Sequence, residues 1–185
     1  MEETWRISSM QKDLLEQHLK AVIRDFVEGL YAFDEAAFNR IADVNSWSAA
    51  QIGSHINKSM QFIHQVVTDK TSQAHRNPAA HIDVLKAMME NMHTKAKSAA
   101  ELLPSPDFLT RTSMRNEVTG ATQLLAGDIR TLELSSICDT MNFPTVGFLS
   151  RYELISFAVF HIERHTRQLA ATYAALQAKN TYMEG

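Results

Sequence analysis

The run Phe157-Ala158-Val159-Phe160-His161-Ile162-Glu163-Arg164-His165-Thr166-Arg167-Gln168-Leu169 contains neither Gly nor Pro and sets two histidines four residues apart. Such a run is helical, and on a helix a spacing of four leaves both imidazoles on one face, one turn apart, within reach of a single ion. The start of this helix is written a few residues earlier, in Leu149-Ser150-Arg151-Tyr152-Glu153-Leu154. Ser150 is an N-cap, Glu153 can close a capping box back to it, and Leu149 and Leu154 can staple the entry. The pattern predicts a helix from Ser150 to about Lys179, with Asn180 to Gly185 as a frayed end.

The same logic recurs in Trp47-Ser48-Ala49-Ala50-Gln51-Ile52, where Ser48 caps, Gln51 completes the box and Trp47 with Ile52 forms the staple. It predicts a second long helix from Ser48 to about Asp69. Before it, Leu14/Leu15, Leu19, Val22/Ile23, Phe26/Val27 and Leu30/Tyr31 draw one apolar stripe along a helix from Ser9 to about Phe33. A polar stretch from Thr71 to Asn77 reads as a loop. Asn77-Pro78 reads as an N-cap and first helical position, opening a short helix with Ile82, Leu85, Met88/Met89 and Met92 on one side. That methionine-bearing side reads as core, with the lining of a ligand cavity as the alternative. Pro104-Ser105-Pro106 ends the section, and Phe108 to Arg115 is expected to be irregular. A further helix is expected from Asn116 to Leu132 through Val118, Ala121, Leu125, Ile129 and Leu132, with Gly120 and Gly127 weakening it. Leu134 to Val146 is expected to be a connector, with Pro144 and Gly147 as breakers.

With 45% apolar residues, 21% charged, 6 Gly and 4 Pro, nothing in the chain demands strands. The expectation is a single domain over 1–185, an all-α four-helix bundle with a short extra helix between its second and third long helices. A net charge of −3 and a pI near 6.2 provide no basic field for a nucleic-acid backbone. Cys138 is the one cysteine, which excludes an intrachain disulfide and a cysteine-rich zinc site, and it is read as a buried structural thiol. Met1-Glu2-Glu3-Thr4-Trp5 does not open a secretory signal, and no apolar run approaches the ~18 residues that span a bilayer. A cytoplasmic protein away from membranes is the expectation.

In a bundle, cofactor sites are assembled from side chains of facing helices. His55 falls seven residues after the cap of its helix, and His161 and His165 fall eleven and fifteen after theirs. Only particular offsets of two antiparallel helices bring these heights together, and the sequence leaves the offset open. Where they meet, three neutral imidazoles suit a borderline divalent ion such as zinc or nickel and leave a coordination position open. The pair at 161 and 165 is weak evidence alone, since eight histidines in 185 residues give many chances for one. Glu163 is displaced one place from the His-Glu-x-x-His arrangement and leaves the ligand face, so a metallopeptidase has no base beside the pair. Neither a Gly-rich phosphate loop nor a nucleophile elbow is present. Of the other histidines, His18 reads as the edge of a core, His64 as a surface residue, and His81 and His93, twelve apart, as unable to share an ion.

Trp47-Ser48 with His55-Ile56, then Gly147-Phe148-Leu149-Ser150-Arg151-Tyr152-Glu153 leading into His161-x-x-Arg164-His165-x-x-Gln168-Leu169, resembles the DinB-like (DinB/YfiT-like) superfamily of bacterial metalloenzymes. The likeness in order and spacing runs through most of the chain, including the segment from Lys97-Ser98 to Pro104. It implies an up-down-down-up bundle, frequent homodimerisation, and a divalent metal held by three histidines, which fall here at His55, His161 and His165. Characterised members of that superfamily include metal-dependent transferases using low-molecular-weight thiols such as bacillithiol or mycothiol, and a thiol-dependent isomerase. The chain departs from the pattern at Gln51, a place often acidic.

Two functions follow as expectations. One is a metal-dependent thiol S-transferase or hydrolase acting on a small molecule, with catalytic residues beyond the ligands unassigned. The alternative is a non-catalytic dimeric helical module that binds a small ligand or serves a stress response.

Overall fold

In a computed structural model that describes residues 5–93 and 99–183, three long helices begin at serines that cap them in the same way. Ser8 precedes α1 (Ser9–Tyr31), Ser48 precedes the helix Ala49–Thr68, and Ser150 precedes the helix Arg151–Met183. At Ser48 the hydroxyl accepts the Gln51 N–H at 3.2 Å and the Gln51 side chain accepts the Ser48 N–H at 3.0 Å. At Ser150 the corresponding distances to Glu153 are 3.0 and 2.9 Å. Each box satisfies two backbone donors that a helix start otherwise leaves open.

In chain order the elements after α1 are a one-turn α2 (Glu35–Phe38), α3 (Ala49–Thr68), β1 (Thr71–Ser72), α4 (Ile82–Glu90), a 3-10 turn at Ala100–Leu102, α5 (Arg111–Thr131), β2 (Ile137–Phe143), β3 (Gly147–Ser150) and α6 (Arg151–Met183). The four long helices close a ring in the order α1, α5, α3, α6. Their directions follow from which ends meet. Lys12 reaches the Leu132 carbonyl and Arg111 the Phe33 carbonyl, so α1 and α5 are antiparallel. Asn57 bonds Glu117 and His64 bonds Asp128, so α3 and α5 are parallel. Arg151 bonds the Val67 carbonyl while His55 meets His161, so α3 and α6 are antiparallel. No helix among the described residues is long and apolar enough to cross a membrane.

The core fills the ring. Leu19, Phe26 and Leu30 on α1 are fully buried, whereas Leu14 and Tyr31, the outer members of their apolar pairs, face solvent. Gly53 of α3 packs directly against Met114 of α5: a Cβ there would lie 2.6 Å from Met114 Cγ and 2.9 Å from its sulfur. Gly53→Ala should therefore destabilise the protein, because overpacking costs ~1–3 kcal/mol against the ~1 kcal/mol that alanine adds to a helix. At Gly120 a Cβ would meet nothing within 4 Å. Gly120→Ala should stabilise by ~0.5–1 kcal/mol. Urea midpoints of the two variants, measured side by side, check the opposite signs.

The fold is mostly helical but not purely all-α, for a three-stranded antiparallel sheet in the order β1-β2-β3 occupies one end. The segment from Leu134 to Val146 is thus not a plain connector. Ile137 pairs with Ser72 on one side and Ser150 on the other, Pro144 lies in the hairpin turn between β2 and β3, and Gly147 opens β3 opposite Phe143. Thr71 and Ser72, expected in a loop, form the edge strand. The β1–β2 pairing joins residues 65 and 67 positions apart, and although the β2–β3 hairpin is local, the burial of β2 lacks the period-two alternation that marks a strand.

Other boundaries also move. α5 begins at Arg111 rather than Asn116, because Thr110 caps it by accepting the Ser113 N–H at 3.1 Å. α4 begins at Ile82 rather than Pro78. Asn77 does accept the Ala79 N–H at 2.9 Å, but this closes a turn that precedes the helix. α6 continues to Met183, so the end expected to fray from Asn180 is helical that far. Met1–Thr4 and Lys97-Ser98, used above for the signal-peptide reading and the family likeness, lie outside the described residues, as do 184–185. Cys138 is 1% exposed, and burial pushes its thiol up to about 11, which leaves little thiolate at neutral pH.

Candidate metal centre

The offset that the sequence leaves open is set at the sheet end of the bundle. Arg151, the first residue of α6, donates from Nε to the Val67 carbonyl near the end of α3 at 2.6 Å, and its backbone N–H bonds the Ser136 carbonyl at 2.9 Å. Counting back twelve residues from Val67 reaches His55, and counting twelve forward from Arg151 reaches the point midway between His161 and His165. Both legs are ~18 Å at 1.5 Å per residue. The three imidazoles therefore arrive at one height.

They meet through Nε2. His165 Nε2 lies 3.0 Å from His161 Nε2, and His55 Nε2 lies 3.3 Å from the same atom. A ligand atom from each ring lies within 4.8 Å of those from the other two, and no other set of three His, Cys, Asp or Glu among the described residues converges so. His55 Nδ1 is 2.8 Å from the Leu102 carbonyl, which can only accept. Nδ1 hence carries the proton, and the Nε2 of a neutral His55 is a bare lone pair.

That tautomer tests whether the cluster is an ordinary hydrogen-bonded group. A single hydrogen on His161 Nε2 can serve one of its two neighbours, and a hydrogen on His165 Nε2 instead leaves two lone pairs facing each other across 3.3 Å. No arrangement of three neutral rings satisfies both contacts. One cation held by all three would, since Zn–N bonds of ~2.0–2.1 Å in tetrahedral geometry set nitrogens ~3.3 Å apart, near the two short contacts, and ligand atoms within 4.8 Å of one another would draw to that spacing around it. The donor set fits a borderline divalent ion and could hold one.

Protonation does not relieve the crowding. Burial, opposed by the Leu102 carbonyl and assisted by Lys58, lowers the pKa of His55. His161 keeps part of its surface, but the packing around its inner side, followed by His165, His55 and Arg164, holds it well below the ordinary value. Burial, then His55, brings His165 down to about 3, with Gln168 offsetting part of the shift and Arg164 adding to it. Although Gln168 approaches it, His165 Nδ1 has no hydrogen-bond partner of good geometry.

These directions carry a pH prediction for the chelator-treated protein. In the unfolded chain a histidine takes a proton near pH 6.5, whereas the folded trio resists it. Stability is therefore fully present above ~6.5 and is lost as pH falls from there toward the depressed folded values; at pH 5 His165 alone costs about 2 kcal/mol. Urea midpoints at pH 7.5 and 5.0 should differ accordingly, and equal midpoints would contradict a neutral trio.

Aromatic rings wall the cluster. Trp47 stacks on His165 at 6.3 Å and 12° and tilts against His55 at 5.0 Å, while Phe157 stacks on His161 at 5.5 Å and 14°. Phe143 of β2 packs edge-on against Phe157 at 4.9 Å, which ties the hairpin to the site. Trp47, read in the sequence as a staple partner for Ile52, and Phe157, at the head of the opening run, were visible as residues but not as walls. The Leu102 carbonyl had no sequence signal.

The remaining histidines stand elsewhere. His18 Nε2 pairs with Glu163 at 2.8 Å. His64, expected at the surface, is half-buried, with Nδ1 2.7 Å from the buried carboxylate of Asp128. His81 Nδ1 lies 3.3 Å from Glu153, at an angle that makes no hydrogen bond. Compared with models of protein families, with curated proteins and with solved structures, the chain matches none.

Proposed function

We propose that this chain is a divalent-metal-binding protein of the DinB-like kind, and that its metal site serves a thiol S-transferase or hydrolase reaction on a small molecule. The observation that carries this is the convergence of three Nε2 atoms from two helices in a pattern hydrogen bonds cannot satisfy. The long helices running up, down, down and up, and the capped starts at Ser48 and Ser150, support the family reading.

In this reading His55, His161 and His165 ligate zinc or nickel. The Leu102 carbonyl keeps His55 in the ligating tautomer, and Trp47 and Phe157 keep water from the ring faces. A bound ion of this type supplies Lewis acidity and lowers the pKa of a coordinated water or thiol. Three protein ligands leave the position such a group needs. The protein works as a homodimer on a small molecule, without nucleic acid.

Turnover of a small electrophile by the zinc- or nickel-loaded protein, with and without a low-molecular-weight thiol, tests the reading. Thiol-dependent consumption identifies the transferase and thiol-independent cleavage the hydrolase. Either should fall at least ~100-fold in His161→Ala, since the ion contributes several kcal/mol. Full activity of that variant would overturn it.

A further inference from the structure

His55 is flanked on α3 by two side chains that hold the same stretch of chain it does. Ser54 Oγ accepts the Ser105 N–H at 3.1 Å, His55 Nδ1–H donates to the Leu102 carbonyl at 2.8 Å, and Lys58 Nζ donates to the Leu103 carbonyl at 2.7 Å. Ser54 is buried and Lys58 half-buried. Among the described residues, the other main-chain hydrogen bonds of this stretch are the turn's own, Leu102 N–H to the Ala99 carbonyl at 3.0 Å and Leu103 N–H to the Ala100 carbonyl at 3.2 Å. The 3-10 turn ends at Leu102, Leu103 is 47% exposed, and Ser105 and Asp107 bond mainly to each other.

The geometry points to Ser54 and Lys58 as positioning residues for the metal site: they pin residues 102–105 so that the Leu102 carbonyl holds His55 in the tautomer that offers Nε2 to the ion. The inference rests on the metal reading above. Neither side chain contacts the trio by a hydrogen bond, so both act through the main chain. Partners that orient a ligating histidine from outside the coordination sphere typically change metal affinity ~10–100-fold.

Lys58 makes the proposal sharply testable, because its two effects have opposite signs. Its ammonium charge opposes positive charge at His55. On electrostatics alone, Lys58→Met should tighten binding of a cation. On the positioning role it should weaken it.

Zinc affinity is measured near pH 7.5 by competition with a chromophoric chelator for the full-length wild type, Ser54→Ala, Lys58→Met and Lys58→Arg. Circular dichroism and urea midpoints of the chelator-treated proteins check folding. We expect Ser54→Ala and Lys58→Met to bind zinc about 10-fold more weakly. Lys58→Arg, which keeps the charge and a donor for Leu103, should stay within ~3-fold of wild type. Tighter or unchanged binding by Lys58→Met overturns the proposal, as does a Lys58→Arg that fails to rescue. If Ser54→Ala does not fold, the two Lys58 variants decide. A wild type that binds zinc alongside unaffected variants removes only this inference. A wild type that binds none removes the metal reading and this inference with it.

Discussion

Replacing His161 by alanine should weaken zinc binding at least ~100-fold, about 2.7 kcal/mol, without unfolding the bundle. His161 Nε2 is the atom common to both short contacts, so its loss leaves His55 and His165 without the nitrogen that joins them. Two imidazoles are a poor site for an ion that takes four ligands. The fold should survive because the ring is only half-buried and its removal relieves crowding instead of creating a deep cavity. The variant should therefore respond in opposite ways with and without metal. Excess zinc should raise the urea midpoint of the wild type, as any ligand selective for the folded state does, and leave that of His161→Ala nearly unmoved. With chelator present, the variant should lose less stability than the wild type between pH 7.5 and pH 5, having lost one imidazole that resists its proton. Competition titration and denaturation at two pH values read all three outcomes. Unchanged zinc affinity would remove His161 from the site.

Glu153→Ala should destabilise the protein by ~3–5 kcal/mol. The Glu153 carboxylate is fully buried and receives four N–H groups. Arg76 grips it with both terminal nitrogens at 2.7 Å, and the backbone N–H groups of Ser150 and His81 add bonds at 2.9 Å. Burial pushes its pKa up, but Arg76 and the two backbone donors outweigh this and the net shift is down. A depressed folded value means that the contribution is present above the unfolded value of ~4.3 and is lost as pH falls through the folded one. Truncation leaves a guanidinium and two backbone donors without their acceptor, which is the expensive way to break a buried pair. The consequence reaches the site because Arg76 also bonds the Phe148 carbonyl, so the carboxylate ties the approach to α4 and strand β3 to the start of α6. Urea unfolding at pH 7 measures the loss. A cost below ~1 kcal/mol would contradict this account of the network.

What could be read in the sequence divides along the line between local and distant interactions. Ser48 with Gln51, and Ser150 with Glu153, are three residues apart, and their capping boxes form as the spacing predicts. His161 and His165 share a helix face for the same local reason. His55 joins them only because Arg151 meets Val67 at the sheet end, a contact between residues 84 positions apart that no spacing rule encodes. Of the sheet, only the β1–β2 pairing is distant in this way; the β2–β3 hairpin is local, but β2 carries no alternating burial to mark it as a strand. His64 looked like a surface residue because Asp128, its partner, is 64 positions away on α5. Glu153 was legible as a cap but not as the acceptor of Arg76, and the Leu102 carbonyl could not be foreseen at all, because every residue carries one.

Whether His55, His161 and His165 together hold one divalent ion is read from elemental analysis of the untagged protein. Metal content is measured as purified, after dialysis against a strong chelator, and after reloading with zinc or nickel at pH 7.5. The expected result is about one ion per chain that the chelator removes and reloading restores. Metal far below one ion per chain as purified, still absent after incubation with excess zinc or nickel, would contradict it.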